Sequence, residues 1–216
     1  MNEYTVLSAP AVAELDIKRS IFRTRLVRVE TEEQAREIIA QARREGHDAR
    51  HHVSAFVLGP DRHSQRCSDD GEPAGTAGIP TLNALTASHT GNESRLSDVV
   101  AVTSRWFGGI KLGAGGLTRA YGNAVTNALD SAKLHKRVLM DIFTTRLDLR
   151  QAGREEGVIR AAGHQVTSVD YTPEGAILTL ACRTGQADHM AVVLAELLGR
   201  TVDLTPSTQR WVDLTH

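Results

Sequence analysis

Two segments of this chain hold residue types that could do chemistry together. The first, Ser68-Asp69-Asp70-Gly71-Glu72, sets three carboxylates within four residues. The second carries Arg105, Lys111 and Arg119 among Gly108, Gly109, Gly113, Gly115 and Gly116. Successive amides in a glycine-rich loop form a concave nest of positive potential, and a lysine adds a full charge, so this run suits a phosphate. The same glycines would equally serve tight strand-to-helix packing. The carboxylates admit several readings. They could hold a hard cation through oxygen ligands, or supply a base for hydrolysis with His51 or His52. They could form a turn whose aspartates accept backbone N–H groups, or pair with Arg105, Lys111 or Arg119. Adjacent aspartates on a strand point to opposite faces, which favours the turn and ion-pair readings over a metal. The expectation is one groove in which Ser68, Asp69, Asp70 and Glu72 meet Arg105, Lys111 and Arg119. No catalytic residue, cofactor or metal is assigned.

A second basic feature precedes both runs. Lys18, Arg19, Arg23, Arg25 and Arg28 lie on one extended segment, and alternation puts Arg19, Arg23 and Arg25 on one face. That face could follow a phosphate backbone, with Arg23 and Arg25 extending the track from the groove, or it could be a charged edge strand facing water. Trp106 and Phe107 flank the glycine loop and could stack on a base. His47, His51, His52 and His63 match no zinc spacing. The glycine run is neither a Walker A loop nor a Rossmann fingerprint, and no Gly-x-Ser-x-Gly elbow is present.

Regular elements must position these residues. Ile17 to Val29 reads as a strand. Thr31-Glu32-Glu33-Gln34 reads as a capping box opening a helix over Glu32 to Glu45, which Gly46 ends. His51 to Leu58 and His63 to Ser68 read as paired strands around a turn at Gly59-Pro60-Asp61. A helix starts at Thr76 or Gly78 and breaks at Gly91-Asn92. Asp98 to Thr103 is β-branched and apolar, a central strand. Leu117, Tyr121, Ala124, Val125, Ala128 and Leu129 mark an amphipathic helix from about Gly116 to Lys133. The basic stretch Lys133 to Arg137 then marks a boundary between a domain over residues 1–135 and another over 138–216. The second domain reads as strand (Val138 to Leu149), helix (Gln151 to Ala162), strand (Gln165 to Tyr171), strand (Ala176 to Arg183), helix (Gln186 to Leu198) and strand (Thr201 to Leu204). This is a βαββαβ order, the ferredoxin-like arrangement, and the whole chain reads as α+β.

Composition bounds the partners. The 216 residues carry a formal net charge of -1, so no global field draws the chain to nucleic acid or membrane, and only local patches matter. Aromatics are 4% of the sequence, so the core rests on Ala, Val, Leu and Ile. Cys67 and Cys182 fall in different expected domains, which speaks for a reducing cytoplasm rather than a disulfide framework. Met1 to Pro10 shows no basic segment followed by an apolar run, so neither a secretory signal nor a membrane partner is expected.

The two glycine runs, with Lys18-Arg19-Ser20 and Tyr121-Gly122, resemble the IMPACT/YigZ family. The phrase Phe107-Gly108-Gly109-Ile110-Lys111-Leu112-Gly113-Ala114-Gly115-Gly116-Leu117 carries most of that resemblance, which spans roughly residues 15–135. Trp106 stands where the family usually has tyrosine. The resemblance implies an N-terminal domain like domain 2 of ribosomal protein S5. It also implies a C-terminal domain like domain V of elongation factor G. It points to RNA, the ribosome or a translation-associated protein as partner, and to a non-enzymatic role in translation regulation. A hydrolase or phosphotransferase using the same groove, or a protein-interaction adaptor, is the alternative.

Overall fold

A computed structural model describes residues 2–87, 89–90 and 94–214. The chain divides into two compact units between Lys136 and Arg137. The first contains β1 (Glu3–Leu7), β2 (Ala11–Ile17), β3 (Ser20–Arg28), α1 (Glu32–Glu45), β4 (His51–Leu58) and β5 (Ser64–Ser68). It continues with α2 (Gly78–Ala87), the short strands β6 (His89–Thr90) and β7 (Ser94–Arg95), β8 (Val99–Trp106) and α3 (Ala114–Asp130). The helix break expected at Gly91-Asn92 lies outside the described residues.

The central sheet of this unit has the order β2-β3-β8-β4-β5, and each neighbouring pair is antiparallel. Period-two alternation sorts its side chains between two helical layers. Val100, Val102, Phe56 and Leu58 pack with Ala35 and Ala42 of α1. Val99, Ala101, Ala55 and Val57 face the other way, onto Leu85 of α2 and Val125 and Ala128 of α3. β8 is buried along almost its whole length because helices cover both of its faces. At one end of the α2/α3 layer, Phe22 and Val53 pack against Leu117, Ala120, Tyr121 and Ala124.

The expected strand from Ile17 to Val29 is the second arm of a hairpin, and β1 and β2 before it were not anticipated. The turn is the two residues Lys18 and Arg19, with φ of 51° and 66°. That left-handed pair matches the twist of a tight hairpin but ordinarily calls for Asn or Gly, so the sequence carried no turn signal. Asp16 Oδ1 accepts the Arg19 N–H at 3.0 Å and holds the turn. The helix over Glu32–Glu45 is as expected, with Thr31 Oγ1 accepting from the Gln34 amide at 3.2 Å. The Gln34 side chain accepts from the amide of Glu30 at 2.7 Å, one residue earlier than a standard capping box.

β9 (Leu134–Leu147) begins before the division and runs into the second unit, so the basic stretch is largely strand. α4 (Ala152–Ala161), β10 (Gln165–Thr172), β11 (Gly175–Arg183), α5 (Ala187–Leu198) and β12 (Thr205–Leu214) follow. The strands lie in the order β12-β9-β11-β10. Ile159 of α4 and Met190 and Leu194 of α5 pack with Phe143, Leu147, Leu178 and Leu180. The last strand is not Thr201 to Leu204 but β12, which begins at Thr205 and includes Pro206. Pro206 is tolerated there because β12 pairs with β9 alone. Among the described residues no helix is long and apolar enough to cross a membrane.

Candidate functional site

The β8 strand delivers Arg105 to the α2/α3 face of the sheet, in line with Val99, Ala101 and Thr103. β4 starts at His51 on the same face, and His51 and Arg105 are register partners. The first glycine run then folds over this corner. Its carboxylates do not act as one cluster. Asp69 turns back on its own loop and accepts the amides of Gly75, Ala77 and Gly78 at 2.8, 3.0 and 2.7 Å. It thereby caps the start of α2. Burial opposes its ionisation, but the three amide bonds outweigh that and hold its carboxyl below the usual range. Ser68 Oγ accepts the Asp70 amide at 3.3 Å. Asp70 reaches α1, pairing with Arg43 at 2.6 Å and accepting the His52 amide at 2.6 Å.

Glu72 alone meets the basic run. Its side chain is 3% exposed and its Oε1 accepts from Arg105 Nη1 at 2.6 Å and from the Tyr121 hydroxyl at 2.7 Å. Burial, and then the bond to Glu72 and its charge, push the Tyr121 hydroxyl far above its ordinary pKa, so it stays a donor. The Arg105 guanidinium lies 5.4 Å from the Phe22 ring centroid and 5.6 Å from that of Phe107, within cation–π range. Phe22 meets Tyr121 edge-to-face at 5.1 Å. His51 Nδ1 lies 2.8 Å from the Asp70 carbonyl, which can only accept, so Nδ1 carries the proton. Nε2 is then left toward Glu72, 3.9 Å from Oε2.

Above this network lies a groove of about 340 Å³, lined by Arg50, His51, Glu72, Arg105, Phe107 and Lys111 and by Gly113, Ala114 and Leu117 at the start of α3. Gly113 is the N-cap of α3, with φ of 71° and no side-chain hydrogen bond. The first-turn amides of α3 are thus left without a side-chain cap, at the positive end of the helix dipole. Lys111 is exposed, and Phe107 is 42% exposed. The Arg50 guanidinium sits 5.9 Å from the Phe107 ring centroid.

The glycines divide by role. Gly113 lines the groove. Gly108 is a packing position: a Cβ there would collide with the Arg19 carbonyl, and its amide donates to Ser20 Oγ at 3.2 Å. The second run is therefore seated on the Lys18-Arg19 turn. Gly109, Gly115 and Gly116 do not line the groove, and a Cβ on Gly116 would press on Leu112 at 3.1 Å.

The remaining sequence-derived candidates are not gathered here. Arg119 is exposed on α3, its Nη1 3.8 Å from the Cβ position of Gly115, and it does not line the groove. Arg23 and Arg25 do not extend the Lys111 track, because alternation on β3 turns them to the α1 face. There Arg23 pairs with Glu14 and stacks 5.2 Å from Trp106, and Arg25 pairs with Glu45. Arg19 lies in the turn and shares no strand face with them. Of the two aromatics, only Phe107 lines the groove. Nothing in the sequence marked Arg50 for the groove, and helix periodicity placed Tyr121 in a core without its bond to Glu72. His51, named with His52 as a possible base beside the carboxylates, does line the groove, on the strand face of the buried Val53 and Ala55. Nothing in the sequence marked Arg43 as the partner of Asp70.

Residues 18–129 match the Impact N-terminal domain. The chain is 38% identical over 172 residues to IMPACT family member YvyE of Bacillus subtilis (strain 168), covering 80% of this chain and 76% of that one. It is 35% identical over 173 residues to IMPACT family member YigZ of Escherichia coli (strain K12), covering 79% and 82%. An IMPACT family member of Haemophilus influenzae is 43% identical over 153 residues, covering 70% and 71%. A crystal structure of a hypothetical protein superposes with a TM-score of 0.62 at 31% identity, covering 94% of this chain and 97% of that one. The Lys18-Arg19 turn, the Gly108 contact and the groove all fall within the matched domain, and the chain belongs to the IMPACT family.

Proposed function

We propose that this protein is a non-enzymatic RNA-binding module of the cytoplasm that acts in translation, at the ribosome or with a translation-associated protein. The observation that carries this reading is the single groove where Lys111, Arg50, the exposed Phe107 ring and the uncapped start of α3 come together. Cations and free amides suit a phosphate, and an exposed ring suits an unstacked base. The antiparallel sheet of the first unit supports an S5 domain 2-like assignment, and the strand order β12-β9-β11-β10 supports a ferredoxin-like one for the second. Both fold types would be at home among RNA-facing proteins, which is analogy rather than mechanism.

The test is binding of single-stranded RNA as a function of salt. Few cations are available, so the log–log slope should be shallow, on the order of -0.7 per phosphate contact. Lys111→Ala should weaken binding to all sequences alike and flatten that slope by about one contact, because phosphate contacts do not read bases. An unchanged affinity and slope for Lys111→Ala would remove RNA from the groove. A second reading, hydrolysis or phosphoryl transfer, draws on His51, whose Nδ1–H is committed to the Asp70 carbonyl and whose Nε2 can take a proton. Turnover of a phosphate ester that is lost in His51→Ala would select that reading.

A further inference from the structure

The groove floor presents an acceptor that the protein itself leaves unused. Glu72 Oε1 takes the hydrogen bonds of Arg105 and Tyr121, while Oε2 accepts none among the described residues. Its basic neighbour His51 Nε2 is 3.9 Å away, beyond hydrogen-bond reach. Glu72 is 97% buried by side chain, since only 3% is exposed, yet it lines the groove. Oε2 is not itself wholly buried, so it stays open to a donor that enters the groove. In its neutral form His51 keeps its proton on Nδ1 and offers Nε2 as a second acceptor beside it.

The groove therefore combines two kinds of demand. Lys111, Arg50 and the α3 amides call for an anion. Glu72 Oε2 and His51 Nε2 call for hydroxyl donors. A carboxylate that accepts from ribose hydroxyls while helix-start amides hold phosphate is how dinucleotide-binding folds hold their ligand. A volume of about 340 Å³ lies at the small end of ligand pockets, suited to one nucleotide and not to a run of several.

Resting on the RNA-binding reading of this same groove, we infer that it holds a ribonucleotide whose 2′- and 3′-hydroxyls are both free, the 3′ end of an RNA. The 5′-phosphate of that nucleotide lies on Lys111, Arg50 and the start of α3, and the vicinal hydroxyls donate to Glu72 and His51. An internal nucleotide has its 3′-oxygen esterified and would bring a second phosphate against the Glu72 carboxylate, a like-charge contact. A DNA end lacks one of the two donors. A free nucleoside 5′-monophosphate shares the chemistry of the RNA end.

The inference is tested with the full chain by fluorescence anisotropy. The probes are one 5′-fluorescein ribo-octamer prepared with a 2′,3′-diol end, a 3′-phosphate end and a 2′,3′-dideoxy end, with AMP as competitor. The diol end should bind at least about tenfold more tightly than the other two, the scale of a lost hydrogen bond to a charged group. His51→Ala should shrink that preference, an effect that a purely structural role for His51 would not produce. Because the comparison varies the ligand, it stands even if Glu72 variants fail to fold. AMP that displaces the diol probe at matching concentration identifies a free nucleotide as the source, and AMP that fails to do so identifies the RNA end. Equal affinity for the three ends, with binding still dependent on Lys111, overturns the end-recognition inference and leaves RNA binding standing. Absence of binding by every octamer overturns both.

Discussion

Removing the Arg105 guanidinium would leave Glu72 charged and buried with the Tyr121 hydroxyl as its one hydrogen-bond donor. Breaking a buried ion pair in this way costs about 3–5 kcal/mol. Arg105→Met should therefore lower the free energy of unfolding by that amount in urea titrations. A loss below about 1 kcal/mol would place the pair with ordinary surface bridges. The buried guanidinium leaves its Nε without a hydrogen bond, and contacts with Phe22 and Phe107 surround it instead. His52 supplies a pH dependence of known sign. Burial is the main reason that its pKa is lowered, with Arg43 and His51 adding to the effect and Asp70 opposing it. A histidine held neutral in the fold binds fewer protons than in the unfolded chain. Stability should thus be full above the unfolded value of about 6.5 and fall as pH drops below it. His52→Gln should flatten the pH dependence of the melting temperature between neutrality and mild acid. An unaltered profile would assign that dependence to other groups.

Elements here are joined through glycine and aspartate at their ends. The second glycine run can pass over the β2–β3 turn only because Gly108 has no side chain. Gly108→Ala must displace either the turn or the run, and should destabilise by about 1–3 kcal/mol as overpacking does. Gly122 offers the contrast: it lies inside α3 with nothing within 4 Å of a built Cβ. Gly122→Ala should stabilise by about 0.5–1 kcal/mol through helix propensity alone. Thermal melts of the two variants should move in opposite directions, and a shared direction would show that backbone approach is not what Gly108 serves. At the start of α2, Asp69→Ala removes the acceptor for three amides, and should cost at least about 2 kcal/mol.

For the whole molecule, a net charge of -1 means that any attraction to RNA must be local. Hydrogen exchange can map it. The α3 amides near Gly113 have no side-chain cap and should exchange quickly in the free protein. Single-stranded RNA should slow exchange in the first turn of α3 and around Phe107. Exchange within β10, β11, α4 and α5 should be unchanged. Protection centred on those elements of the second unit would move the binding surface out of the groove.

Much of the framework was legible in the chain itself, because its signals are local. Thr31 and Gly46 bound α1 by capping, and β-branched residues mark β8. The spacing of Leu117, Tyr121, Ala124 and Ala128 marks the buried face of α3. The Lys18-Arg19 turn and β12 escaped because their residues contradict local preference and only pairing with a neighbour stabilises them. The glycine runs marked where an anion could bind, but the partners of their charged residues depend on distance in space. Three carboxylates four residues apart or less took three separate partners: the amides of their own loop, Arg43 on α1, and Arg105 on β8. Strand alternation sent Arg23 and Arg25 to the α1 face and Arg105 to the α2/α3 face, although all three are basic and β3 and β8 are neighbours. Residue type and spacing thus determined which groups could meet an anion. Sheet order and register decided which of them share a groove, because a side chain's face and its neighbours across strands depend on pairings between distant segments.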